Sequence, residues 1–213
     1  MITSIHFRLR GVATAAVSIA TLAMVGLAST PGTAAAHGAD TGTSARPGSH
    51  PSTSTKHGPR GYYLKFTKNW DHPDRSTLSL VHDGIPVKSY RAGSGVGVTD
   101  ECRSNKGWLP SGTYQVKGHQ THRNSAIKGY AIQLSDKACH PKSKKKAVNR
   151  GDLFIHSEMT KNGGQGSTEP TRWDGDRDYK SLGCIKLRPA DIKDLFSRLN
   201  QAHWPKNLTL RVN

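Results

Sequence analysis

The sequence predicts a mainly β protein, an antiparallel β fold with one helix docked near its C-terminus. Three observations point there: short alternating or β-branched segments recur along the chain, turn residues separate them, and a single stretch shows helical periodicity. Composition agrees, because 34% hydrophobic residues with 22 Gly and 11 Pro suit a loop-rich, strand-rich domain better than a helical bundle or coiled coil and exclude a polytopic membrane protein. At 213 residues the chain supports one sizeable core rather than two large domains.

Arg8 and Arg10 precede an uncharged, small-and-apolar run from Gly11 to Leu27, and Ala34-Ala35-Ala36 supplies a small-residue cleavage site. Residues 1–36 therefore have the pattern of a cleaved signal peptide, with no Cys near the site to carry a lipid and no membrane anchor expected after cleavage. From His37 to Arg60 there is no Val, Leu, Ile or aromatic residue, so this stretch cannot bury enough apolar surface to offset chain entropy and is expected to be a disordered spacer over 37–60. The folded unit is then 61–213. The strand candidates in order are Tyr62 to Phe66, Thr77 to His82, Ile85 to Tyr90, Gly112 to Val116, Tyr130 to Leu134, Leu153 to His156 and Leu208 to Val212. Asp83-Gly84 joins the second and third as a hairpin turn. The helix follows Pro189, with Asp191 and Asp194 toward its positive end and Ile192, Leu195, Phe196 and Leu199 spaced i, i+3, i+4, i+7.

Lys and Arg total 31 against 15 Asp and Glu, a formal charge of +16, so a large partner is expected to be anionic. Export makes nucleic acid a poor partner and leaves wall or surface polyanions. Lys142, Lys144, Lys145, Lys146 and Arg150 form a run that either holds such a polymer or is a solvated loop face. A non-catalytic, basic wall-binding module is therefore an alternative to an enzyme.

Three cysteines in an exported chain leave one thiol over. Cys102 and Cys139 lie in polar, loop-like contexts natural for a surface disulfide, whereas Cys184 stands in Ser181-Leu182-Gly183-Cys184-Ile185-Lys186-Leu187 just before the helix. Gly183 permits a tight turn and close substrate approach, and lets backbone N–H groups converge as an oxyanion site requires. A thiol is mostly protonated at neutral pH, so a nucleophilic Cys needs an imidazole or other positive surroundings. His156, at the end of Leu153-Phe154-Ile155, is the candidate base; the bland alternative is a buried structural Cys and a surface His. His119 and His122 have the spacing of a metal pair but lack a clear third ligand, and no metal or other cofactor is expected.

This order, a strand His, an intervening loop and then Ser181-x-Gly183-Cys184 followed by aliphatic Ile185, resembles the L,D-transpeptidase (YkuD-like) catalytic domain. Trp108-Leu109-Pro110-Ser111-Gly112-Thr113-Tyr114 is similar to the family's Pro-x-Gly-x-Tyr strand entry, while Leu182 stands where many members have His and Lys186 where Arg or Asn is usual. The resemblance implies a β-sandwich or barrel and a Cys184 nucleophile served by His156. Gly183 and Cys184 N–H groups would stabilise the oxyanion, and Ser181 would orient the base. The implied substrate is a peptidoglycan stem tetrapeptide, attacked to form a thioester that an amine of another stem resolves into a cross-link. Water in place of the amine would give an L,D-carboxypeptidase. Trp173, Tyr179, Lys186 and Arg188 are the candidate substrate-binding residues, and a secreted, wall-associated monomer is expected. The Gly-containing 157–180 loop is either a lid or a surface insertion, and Glu158, Asp174, Asp176 and Asp178 either attract a cationic amine or solvate the loop. A sortase, also His-before-Cys, would need a suitably placed downstream Arg, but Arg188 is only four residues past Cys184, Arg198 and Arg211 lie in or beyond the helix, and the Gly before Cys fits sortases poorly.

Overall fold

The computed structural model describes residues 60–141 and 146–213. The expected leader and all of the expected spacer but Arg60 lie outside the described residues, as do Lys142, Lys144 and Lys145. Ten strands form: β1 (Tyr62–Thr67), β2 (Ser76–His82), β3 (Ile85–Ser94), β4 (Gly112–Asn124), β5 (Lys128–Leu134), β6 (Lys137–Cys139), β7 (Val148–Arg150), β8 (Phe154–His156), β9 (Ile185–Leu187) and β10 (Thr209–Val212). Eight of them close a barrel in the order β1-β10-β4-β5-β8-β9-β3-β2, and β6 and β7 pair separately as a two-stranded ribbon. Closure removes the exposed edges that an open sheet would present. Among the described residues the one α-helix, α1 (Pro189–Gln201), stands between β9 and β10 in the chain.

Local chemistry explains the elements that were legible. Asp83 and Gly84 both take positive φ, 50° and 85°, the pair of left-handed residues that a type I′ hairpin turn requires between β2 and β3. Leu64 and Phe66 on β1 and Leu78 and Leu80 on β2 alternate into the core at 1% exposure or less. Pro189 opens α1 at its first turn, and Ile192, Leu195, Phe196 and Leu199 are its buried stripe. Asp194 acts differently from the expectation that it serves the helix dipole. It accepts from Tyr90 Oη on β3 at 2.8 Å and from Arg198 Nε at 2.9 Å, pinning α1 to the barrel.

Two seams depart from the antiparallel expectation: β1 runs parallel to β10, and β8 runs parallel to β9. Parallel partners are joined by long crossovers, so no local turn signal announces them. The three-residue strands β6, β7 and β9 were likewise too short to stand out in the sequence.

Candidate active site

The β8–β9 seam builds the site. Ile155 pairs with Ile185 in register, and both are fully buried in the barrel. With the strand period of two, the residues beside them, His156 and Cys184, project to the opposite side together. Both line one cavity of about 710 Å³, walled by Arg123 and Ile127 near the β4–β5 turn and by Arg150 and Asp152 before β8. The apolar side chains of Val96 and Leu182, 39% and 65% exposed, also border it.

Ser181 and Gly183 shape the turn that presents the thiol. Ser181 Oγ donates to Cys184 O at 2.5 Å and accepts from Gly95 N and Gly183 N, each at 3.2 Å. Gly183 has φ of +121°, a conformation that favours glycine, and a Cβ there would meet Arg150 Nη2. The Gly183 N–H, expected as an oxyanion donor, is thus engaged by Ser181. Ser181 holds this turn rather than the base. His156 is oriented by its neighbour, Nδ1 lying 3.1 Å from Ser157 O. A carbonyl oxygen only accepts, so Nδ1 carries the proton and Nε2 keeps the lone pair that a general base needs.

Cys184 is the one free cysteine, while Cys102 and Cys139 form a disulfide. Burial pushes the Cys184 thiol up to about 11; the Phe154 N–H and the charges of Arg150 and Lys186 oppose this rise and Asp152 adds to it. Burial likewise pushes His156 down to about 4, with the positive charges of Lys186 and Arg123 assisting and the Ser157 bond resisting. At neutral pH the resting pair is therefore a thiol and a neutral imidazole. The thiol donates to Asp152 O at 3.6 Å, and no hydrogen bond joins it to His156 among the described residues.

The other candidates divide. Lys186 lines the cavity, but it is 6% exposed and ion-paired with Glu158. Trp173, Tyr179 and Arg188 do not line it. Tyr179 is buried beneath Arg91, 4.1 Å from the guanidinium to the ring, with Trp173 packed edge-on against it at 4.7 Å. Arg188 precedes α1 and pairs with Asp191 at 3.2 Å. The 157–180 loop is a packed insertion rather than a cover, since only Lys180 among its residues borders the cavity. Its carboxylates are occupied as well: Asp174 pairs with Arg172, Asp176 with Arg91, and Asp178 accepts from Asp174 N and Gly175 N. Arg198 pairs with Asp194 and Arg211 stacks over Tyr63, so neither reaches the site as a sortase-like arginine. His119 stacks on Trp204 at 3.5 Å, and His122 Nδ1 bonds Thr121 Oγ1.

Arg123 and Arg150 were missed as site residues. Arg123 lies with its guanidinium 4.6 Å from the Phe154 ring centre. Arg150, expected on a basic polymer-binding face, is 4% exposed beneath the Gly183–Cys184 turn, whereas Lys146 is exposed. No sequence signal separated Arg150 from the lysines before it.

A family model described as the L,D-transpeptidase catalytic domain matches residues 69–205. No curated protein matches the chain. Among solved structures, a Bdellovibrio bacteriovorus protein, Bd1075, is similar at 15% identity and a TM-score of 0.42, over 72% of this chain and 48% of that one. The L,D-transpeptidase of Xylanimonas cellulosilytica is similar at 17% identity and a TM-score of 0.39, over 74% of this chain and 63% of that one. For the L,D-transpeptidase of Stackebrandtia nassauensis the figures are 17% and 0.40, over 76% and 60%. This chain thus spans less than two thirds of each of these structures.

Proposed function

The chain belongs to the L,D-transpeptidase catalytic domain family, and from that premise we propose that it is an exported cysteine acyltransferase acting on peptidoglycan stem peptides. The observation that carries the reading is the in-register Ile155–Ile185 pair, which turns His156 and Cys184 into one cavity, one with a lone pair and the other with a free thiol.

Because thiol and imidazole are both neutral at rest, the proton leaves sulfur as the bond forms. Cys184 Sγ attacks the carbonyl of the third residue of a stem tetrapeptide while His156 Nε2 takes the thiol proton. The tetrahedral intermediate collapses, His156 returns the proton to the departing amine, and D-Ala leaves. The Cys184 N–H faces the developing oxyanion, where loss of one donor typically lowers the rate about 10²-fold to 10³-fold. A side-chain amine of a second stem then attacks the thioester, His156 accepts its proton and passes it to the departing sulfur, and the C–S bond breaks to leave the Cys184 thiol and a new peptide bond. Water in the amine's place gives the hydrolysed tripeptide from the same intermediate.

Export is supported by the leader pattern of residues 1–36 and by the Cys102–Cys139 bridge, since disulfides persist in oxidising compartments. Incubation with purified disaccharide-tetrapeptide, followed by separation of products, tests the function. We expect cross-linked dimer and free D-Ala, both absent with Cys184→Ser and reduced about 10²-fold or more with His156→Gln. D-Ala with tripeptide alone would assign the carboxypeptidase reaction, and an unchanged substrate would refute the proposal.

A further inference from the structure

Arg150 is a charge without an obvious reward. It is 4% exposed, forms no ion pair among the described residues, and its guanidinium instead bonds three backbone carbonyls: Glu101 O, Trp108 O at 3.2 Å and Gly107 O at 3.5 Å. A buried cation normally needs an anionic partner to offset its lost hydration. The segment holding it is itself fastened. The Glu101 carboxylate is ion-paired with Lys68 and accepts from Ser111 N and Oγ, and the next residue, Cys102, is bridged to Cys139 on β6, which pairs with β7 where Arg150 stands. The other end of the guanidinium meets the nucleophile turn, with Nη2 occupying the space a Gly183 side chain would fill.

We propose that Arg150 is a positioning residue for the acyl-transfer site: held by the disulfide-closed segment, its guanidinium braces the Gly183–Cys184 turn and serves as the fixed counter-charge for the Cys184 thiolate. The inference rests on Cys184 being the nucleophile. The surrounding charges make the assignment specific. Lys186 also favours the thiolate but is ion-paired with Glu158, its contribution standing behind that of Arg150, and Asp152 opposes the thiolate. Arg123 and Lys180 border the same cavity, but Arg123 is engaged by Gln120 and the Phe154 ring, and His156 is neutral at rest. On its other side Arg150 faces Tyr114, Asp100 and Glu101, of which Glu101 is occupied by Lys68. The fold thus places a permanent cation against Gly183, on the cavity that Cys184 also lines, where the imidazole charge exists only during turnover.

Alkylation of Cys184 by iodoacetamide, followed across pH by mass spectrometry of its peptide, tests this without any peptidoglycan substrate. An opposite charge at contact range typically moves an acid by about one pH unit or more. Arg150→Met should therefore raise the pH of half-maximal alkylation by about one unit, lowering the rate at pH 8 about tenfold, while Arg150→Lys recovers most of the difference. An Arg150→Met profile that overlays the wild type would overturn the proposal. Should that variant not fold, the Cys102→Ser/Cys139→Ser protein, which keeps Arg150 but loosens its holder, carries the test. An upward shift supports the coupling and an unchanged profile refutes it. If wild-type protein fails to process tetrapeptide, the function falls, whereas the alkylation profiles still report on Arg150.

Discussion

His156 and Cys184 each resist their charged form, and that has a consequence for stability as well as chemistry. The unfolded imidazole takes a proton near pH 6.5, but the folded one only near 4. Across that window the unfolded state binds more protons, so stability falls as pH falls. At the alkaline end the unfolded thiol ionises near pH 8.5, whereas the folded one holds its proton to about 11, so stability falls as pH rises through that interval. Thermal melting against pH should show both limbs. His156→Gln should flatten the acid limb, leaving the share of His119, which burial also pushes down, and Cys184→Ser should reduce the alkaline one, leaving the share of Tyr90, Tyr114 and Tyr179, which burial also pushes up. A second outcome concerns Gly183. Its positive φ and its contact with Arg150 lead us to expect Gly183→Ala to lose about 2 kcal/mol or more in denaturant unfolding and to suppress Cys184 alkylation. That Ser181, Gly183 and Cys184 share one turn is legible because they stand within four residues of one another. The orienting partner of His156 is not, because a backbone carbonyl has no sequence signature, and Ser181 is instead consumed in holding its own turn.

The elements carry two further expectations. Closing the Cys102–Cys139 loop removes unfolded-chain freedom worth about 4 kcal/mol on the chain-entropy estimate, so the double Ser variant should lose stability of that order in denaturant titration. Lys186 and Glu158 form a nearly buried pair, with side chains 7% and 15% exposed. Removing one partner strands the other, so Lys186→Met should destabilise the protein by about 3 kcal/mol, and the double variant with Glu158→Gln should recover part of it in a double-mutant cycle. The helix and the β2–β3 hairpin were visible in the sequence because each is specified locally, by a stripe at helical spacing and by Asp83-Gly84. β9 was not, because three residues pairing with a strand that precedes a long connection carry no local pattern. Trp173 and Tyr179 misled for a related reason: aromatic residues in a polar loop suggest a binding surface, yet here they anchor an insertion against β3 and Arg91.

At the scale of the described residues, one closed barrel with one docked α-helix supplies a rigid frame, and the proposed chemistry lies where β8 and β9 run parallel. The frame matters because an acyl transfer requires base, nucleophile and turn to hold their relations through two successive attacks. The disulfide ribbon, the 100–111 segment and Arg150 form a buttress beside the Gly183–Cys184 turn, and on the proposed role of Arg150 it would link stability of the frame to reactivity of the sulfur. The most direct measurement of the account is the mass of intact protein quenched in acid during turnover with a stem tetrapeptide. We predict one acyl adduct, equal to the tetrapeptide less D-Ala, mapping to the peptide that contains Cys184 and missing in Cys184→Ala. No adduct on protein with its Cys102–Cys139 bridge intact, or an adduct that persists in Cys184→Ala, would contradict it.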